Sequence, residues 1–173
     1  MRDEMVEWLQ TIIVSLVIAL IITTFIKPTI VKNCSMSPTL EENDFLIINR
    51  FLYKRGTPER GDIVVFRSNL KTETGKQKLL IKRVIALPGD KIVITDGKIY
   101  LNGSELEESY IKNEYTMGDT DLLIPENEIF VMGDNRSNSL DSRDGILGLV
   151  DLDTVMGKAF IRLFPFSRIG LLN

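Results

Sequence analysis

From Trp8 to Ile26 the chain reads WLQTIIVSLVIALIITTFI, a run without one charged side chain. About 20 apolar residues are what an α-helix needs to cross ~30 Å of hydrocarbon, so the run predicts a transmembrane helix over residues 8–27, behind a short segment 1–7. Trp8 at one end and Lys27 with Pro28 at the other suit two membrane interfaces: an amphipathic ring, an ammonium that can snorkel, and a helix stop. A cleaved secretory leader is the rival reading. Against it, MRDEMVE carries three acids and one arginine, the run exceeds the roughly 7–15 residues of a leader's apolar core, and no small-x-small site follows it. The anchor is therefore expected to stay on the chain. Its orientation is not set by cations, because Arg2 precedes the run while Lys27 and Lys32 follow it.

The 173 residues are 44% hydrophobic and 26% charged, which suits one globular domain behind the anchor. A net charge of −3, with no Lys/Arg stripe interleaved with aromatics, argues against nucleic acid as a partner. Cys34 is the single cysteine, and there is no histidine. An internal disulfide, the usual Cys/His zinc spacings and every serine–histidine or cysteine–histidine mechanism are thereby excluded. No cofactor is called for.

Beyond Pro28 the pattern becomes short β-branched or aromatic-rich segments bounded by Gly, Pro, Asn or Asp, which predicts a mainly β domain over 28–173. The expected strands are FLIINRF (45–51), DIVVFR (62–67), KLLIKRVIAL (78–87), KIVIT (91–95), KIYLNG (98–103) and EIFVMG (128–133). Asp96-Gly97 is a two-residue hairpin signal, and roughly 91–127 reads as a smaller inserted β subregion. RSNLKTETGKQK (67–78) and ELEESYIKNEYTMGDTD (105–121) read as polar connections with solvated charges, and one short helical turn is expected near 139–150.

Three stretches carry candidate chemistry, and each has a plainer reading. NCSMSPTL (33–40) holds Ser35 in a loop before a strand, as a nucleophile or as a turn whose hydroxyls bond nearby backbone. In KLLIKRVIALPGDKI, strand alternation groups Lys82 with Leu80, Val84 and Ala86, and Arg83 with Ile81 and Ile85. Burial among aliphatic side chains can lower an ammonium's pKa by up to 3–5 units, whereas an edge-strand lysine only guards against aggregation. GDNRSNSLDSRDGILG (133–148) is either a chain of Asx turns and surface ion pairs or a self-bonded network under an active site. A calcium loop fits badly, since Arg136 or Arg143 would take the third ligand position. The three answer one another: a serine without histidine needs another base, and a neutral lysine is a known partner for hydroxyl nucleophiles.

Taken in order, these residues resemble the bacterial type I signal peptidases, particularly the short single-span forms of Gram-positive bacteria. Ser35-Met36 with Pro38-Thr39-Leu40 is similar to the family's nucleophile box, and Arg60-Gly61-Asp62-Ile63-Val64-Val65-Phe66 to the next. Lys82-Arg83 with Pro88-Gly89-Asp90 resembles the lysine box, and Gly133-Asp134-Asn135-Arg136 through Asn138-Ser139 and Asp141-Ser142-Arg143 the last.

The resemblance implies a signal-peptidase-like β-sheet or barrel domain on the extracytoplasmic side of the cytoplasmic membrane, near the export translocon. It would cleave signal peptides from exported preproteins after small residues of the Ala-x-Ala type. It implies Ser35 as nucleophile, Lys82 as general base, and Ser139 as the hydroxyl bonding the lysine amine. Asp141 and Arg143 would shape the site by ion pairing, and Asp134 and Arg136 would brace the loop. Met36 would line the pocket for the residue before the cut. The Ser35 backbone N–H would be one oxyanion donor, and Asn33 stands where the family places a second. Ser35 lies nine residues past Ile26, so a fully extended linker reaches about 30 Å from the bilayer at ~3.3–3.6 Å per residue. Two other readings stay open: a self-cleaving serine–lysine protease of the repressor type, and an anchored β module that binds a partner without catalysis.

Overall fold

In the computed structural model, residues 2–111 and 115–172 are described, except for the side chains of residues 2, 3, 21, 22, 24, 25, 54 and 55. Parts of the apolar run and of the 105–121 connection thus lie outside the described residues. The helix α1 (Arg2–Phe25) begins earlier than expected and leads without a linker into strand β1 (Ile26–Ile30). Every side chain described along it, from Glu4 to Leu20 and at Thr23, is exposed. Among the described residues no helix is long and apolar enough to cross a membrane.

The remainder is mainly β. Strands β2 (Phe45–Asn49), β3 (Ile63–Lys71), β4 (Gln77–Ala86), β5 (Lys91–Thr95), β6 (Lys98–Leu101), β7 (Ser104–Glu105), β8 (Thr120–Leu123), β9 (Glu128–Met132), β10 (Val150–Asp151), β11 (Val155–Phe164) and β12 (Gly170–Leu171) follow in order, with a short helix α2 (Leu52–Arg55) after β2. They form an eight-stranded sheet in the order β1-β2-β11-β3-β4-β9-β10, with β12 on β11, and a four-stranded sheet in the order β7-β6-β5-β8. All pairings are antiparallel. Pro28 sits in β1 at the sheet edge, where a missing N–H is tolerated. The Asp96-Gly97 hairpin forms as expected, with φ of 51° and 78° and Thr95 opposite Lys98.

Two expectations change and one holds. The stretch 67–78 is mostly strand: β3 and β4 continue to pair out to Lys71 and Gln77, and Ser68 Oγ donates to the Lys78 carbonyl at 2.8 Å, so polar side chains ride on a ladder that backbone bonds sustain. Near 139–150 the expected short turn is present, as successive turns closed by Asp144 N to Asp141 O and Gly148 N to Asp144 O. Ile85 and Ala86, expected on opposite faces, join one apolar cluster with Ile92 and Phe130 because the β4–β9 register shifts between Val84 and Ala86. Two further clusters complete the core, one around Val31, Met36, Leu46 and Ile48, the other around Val64, Phe66, Val84 and Val131.

Candidate active site

β4 lies between β3 and β9, so Lys82, opposite Val64, is on an interior strand and cannot be an edge lysine. It is 2% exposed. Ser35, in the loop joining β1 and β2, is 8% exposed, and its Oγ stands 2.6 Å from Lys82 Nζ. At that separation a protonated amine donates to the hydroxyl, and a neutral amine accepts the hydroxyl proton. Burial pushes the Lys82 amine down from 10.5. The carboxylates of Asp141 and Asp134 pull it partly back, Arg143 and Lys78 push it down again, and it settles at about 8.

The loop after β9 holds Ser35 in place. Asn135 N donates to the Ser35 carbonyl at 3.1 Å, Asn135 Nδ2 to the Cys34 carbonyl at 3.2 Å, and Asn138 Nδ2 to Cys34 Sγ at 3.3 Å. Contact is this close because residue 133 is glycine: a Cβ there would collide with Ser139 Oγ and with the Ser35 carbonyl. Ser139 therefore flanks the Ser35 backbone. Its Oγ is buried and makes no hydrogen bond to the Lys82 amine, and the hydroxyl instead helps to hold the Asp141 carboxyl low.

Three ion pairs tie this loop down. Arg143 grips Asp141 with two bonds of 2.8 and 2.9 Å, and Asp141 also accepts from Gly133 N at 3.0 Å. Burial pushes the Asp141 carboxyl up, but Arg143 and the Gly133 N–H outweigh it and hold the carboxyl below its ordinary value. Asp134 and Arg136 pair with different partners. Arg83 reaches Asp134 bidentately at 2.9 and 2.8 Å, donates to the Gly61 carbonyl at 2.8 Å, and lies 3.9 Å from the Tyr110 ring centroid. Arg136 donates to both carboxylate oxygens of Glu108 at 2.5 Å and to Thr116 at 3.0 Å.

Sequence reasoning assigned no role to Arg83, Glu108, Tyr110, Thr116 or Gly133. It also treated the charges of 105–121 as solvated, whereas the Glu108 side chain is 8% exposed. The one available signal was that a buried Arg136 needs an acid, and nothing local distinguishes Glu108 from Glu105 or Glu107. Met36 is packed in the first apolar cluster at 1% exposure. Asn33 is exposed on the loop two residues before Ser35. Among the described residues no cluster of Cys, Asp or Glu is placed to hold a metal ion.

This arrangement joins a buried hydroxyl to a buried amine of lowered pKa on an antiparallel β scaffold. The family model "Signal peptidase, peptidase S26" matches residues 5–164. A "Signal peptidase I" of Leptolyngbya laminosa is 40% identical over 180 residues, 99% of this chain and 85% of that one. A "Probable signal peptidase I-2" of Synechocystis sp. is 38% identical over 96% of this chain and 78% of its own. A "Signal peptidase I P" of Bacillus subtilis subsp. natto is 35% identical over 97% and 94%. The crystal structure of a signal peptidase I from Enterococcus faecalis V583 aligns with 60% of this chain and 97% of its own, at 33% identity and a TM-score of 0.49. The chain belongs to the signal peptidase family, peptidase S26. It is a serine endopeptidase of that family.

Proposed function

We propose that this protein is a membrane-anchored signal peptidase that removes N-terminal signal peptides from exported preproteins after small residues of the Ala-x-Ala type. The observation that carries the proposal is the 2.6 Å contact between Ser35 Oγ and a buried Lys82 amine whose pKa falls to about 8. In the neutral state Lys82 Nζ takes the Ser35 proton as Oγ attacks the scissile carbonyl carbon. The Ser35 backbone N–H donates to the developing oxyanion, with the Asn33 amide as second donor, and one such donor is worth ~10²–10³ in rate. The protonated amine then gives its proton to the departing nitrogen as the C–N bond breaks, leaving an ester on Ser35. Lys82 next takes a proton from water, hydroxide adds to the ester, and the collapse returns the proton to Ser35 Oγ.

In this reading the Ser139 hydroxyl supports the amine, and the Asp141–Arg143 and Asp134–Arg83 pairs keep the loop on the nucleophile. Met36 helps shape the pocket for the residue before the cut. Residues 28–173 form the catalytic domain, with roughly 91–127 as an inserted subregion.

The run Trp8–Ile26 supplies the anchor. A helix that is apolar all round suits a membrane span, and Trp8, Leu9, Ile12, Ile13, Leu16, Val17 and Leu20 are all between 48% and 71% exposed. Because α1 leads straight into β1, which is followed by the Ser35 loop, the nucleophile works close to the bilayer, on its extracytoplasmic side near the translocon. Incubating purified full-length chain with a preprotein bearing Ala-x-Ala, and mapping the product's new N-terminus, tests the proposal. Cleavage after the second Ala is expected, lost in Ser35→Ala and in Lys82→Ala. Near-normal cleavage by either variant rejects the dyad.

A further inference from the structure

Around α2 lies a basic pocket that the proposed chemistry does not use. Arg50, Tyr53, Arg67, Val155 and Met156 line a cavity of about 170 Å³. Among the described residues, neither the Arg50 nor the Arg67 guanidinium has a hydrogen bond or ion pair. None of the acids nearby makes an ion pair with them. Asp62 is committed to the Tyr53 hydroxyl at 2.5 Å, to Glu59 N at 2.9 Å and to the Lys158 ammonium. Asp151 accepts from Asn127 Nδ2 at 2.9 Å and from Asp153 N at 2.8 Å. Glu59 is exposed, and its charge helps to push up the Tyr53 hydroxyl. Two guanidiniums on one concave wall suit an anion with several acceptor oxygens, and a phosphate matches their forked geometry.

Beside this pocket is an apolar groove. Ile26, Ile47, Asn49, Phe51 and Phe160 line a second cavity of about 420 Å³. The chain itself joins the two cavities, since Asn49 and Phe51 face the groove while Arg50 and Tyr53 face the pocket. Ile26, the first residue after α1, pairs with Asn49, so both cavities sit at the foot of the helix. Ile26, Phe51 and Phe160 are 39%, 44% and 43% exposed. Guanidiniums without a direct partner, adjoining exposed apolar surface at a helix end, match an amphiphile with an anionic head.

We propose that these cavities bind one anionic phospholipid of the leaflet from which α1 emerges, its phosphate on Arg50 and Arg67 and an acyl chain along Ile26, Ile47, Phe51 and Phe160. The proposal rests on the membrane anchoring given under Proposed function. Such a lipid would fix the height of the catalytic domain above the bilayer through a contact separate from the helix.

The test uses the full chain in neutral micelles, with retention of phosphatidylglycerol and of phosphatidylcholine measured by native mass spectrometry. Flotation with phosphatidylcholine vesicles is measured in parallel. Phosphatidylglycerol is expected to bind roughly tenfold more tightly than phosphatidylcholine, and Arg50→Gln/Arg67→Gln should erase that preference, because it removes two charge-assisted contacts. The double variant should still float and should cleave a soluble peptide at the unaltered rate. Equal affinity for the two lipids overturns the proposal, as does a preference that survives the double substitution. Displacement of phosphatidylglycerol by equimolar inorganic phosphate also overturns it, since the pocket would then hold a free anion. Failure of the unaltered chain to float rejects the anchor and the lipid site together, whereas flotation without lipid preference rejects the site alone.

Discussion

The loop after β9 and the N-terminal helix are built on opposite terms. Around Ser35 and Lys82 the polar groups are buried, and nearly every charge has a partner: Asp134, Asp141 and Arg136 are at most 2% exposed, and each sits in a bidentate pair. Along α1 the apolar groups are bare, with Trp8 at 71% and Leu16 at 60% exposure. Buried ions survive only when paired, and a large exposed apolar surface marks a place of contact with something outside the domain. The site thus turns its polar groups inward, whereas the helix turns its apolar groups outward.

Changes at the dyad should have the largest effects. Lys82→Ala and Ser35→Ala should each lower cleavage by at least about 10²–10⁴-fold, the range general acid–base catalysis supplies, while circular dichroism stays native. Losing the buried amine should not destabilise the fold at neutral pH. A lysine whose folded pKa lies below its unfolded value opposes folding while it is protonated in both states, and that opposition lifts as pH rises from about 8 toward 10.5. Stability measured by denaturant should therefore rise across that window in the unaltered chain and rise less in Lys82→Met.

Breaking a buried pair comes next. Arg83→Met leaves Asp134 buried without its partner and should cost ~3–5 kcal/mol in urea unfolding. Lys98→Gln, which breaks the exposed pair with Glu105, should produce no measurable change. Equal effects at the two pairs would erase the contrast between site and surface. On the other side of the comparison, Leu16→Arg places a charge mid-helix and should cost ~2.5–3.5 kcal/mol of membrane insertion, read as lost flotation, while peptide cleavage persists. Gly133→Ala should cost ~1–3 kcal/mol from forced overpacking against Ser139 and the Ser35 carbonyl, with a larger loss in rate than in stability.

What the sequence disclosed follows the same division. The uncharged run and the Asp96-Gly97 hairpin are local signals, and both correspond to elements in the structure, α1 and the β5–β6 turn. The pairing of Ser35 with Lys82 was reachable because the absence of histidine leaves few bases for a serine. Strand β11 was not expected, since VMGKAFIRLF pairs with β2 and β3, about 100 residues earlier in the chain, and its register shifts between Ala159 and Ile161. Glu108 was hidden for a similar reason. It pairs with Arg136 from the loop after β9, and the residues beside Glu108 in sequence carry no trace of that. Long-range partners, not local preferences, decided these cases.

The pH dependence of kcat/KM for a soluble peptide substrate bears most directly on the central claim, since it reports the ionisation of the free enzyme's essential base. With Lys82 as that base, the profile should climb as the amine loses its proton, with an ascending limb centred near pH 8. A limb centred near 10.5, where an ordinary lysine titrates, or a profile flat from pH 7 to 10, would contradict it.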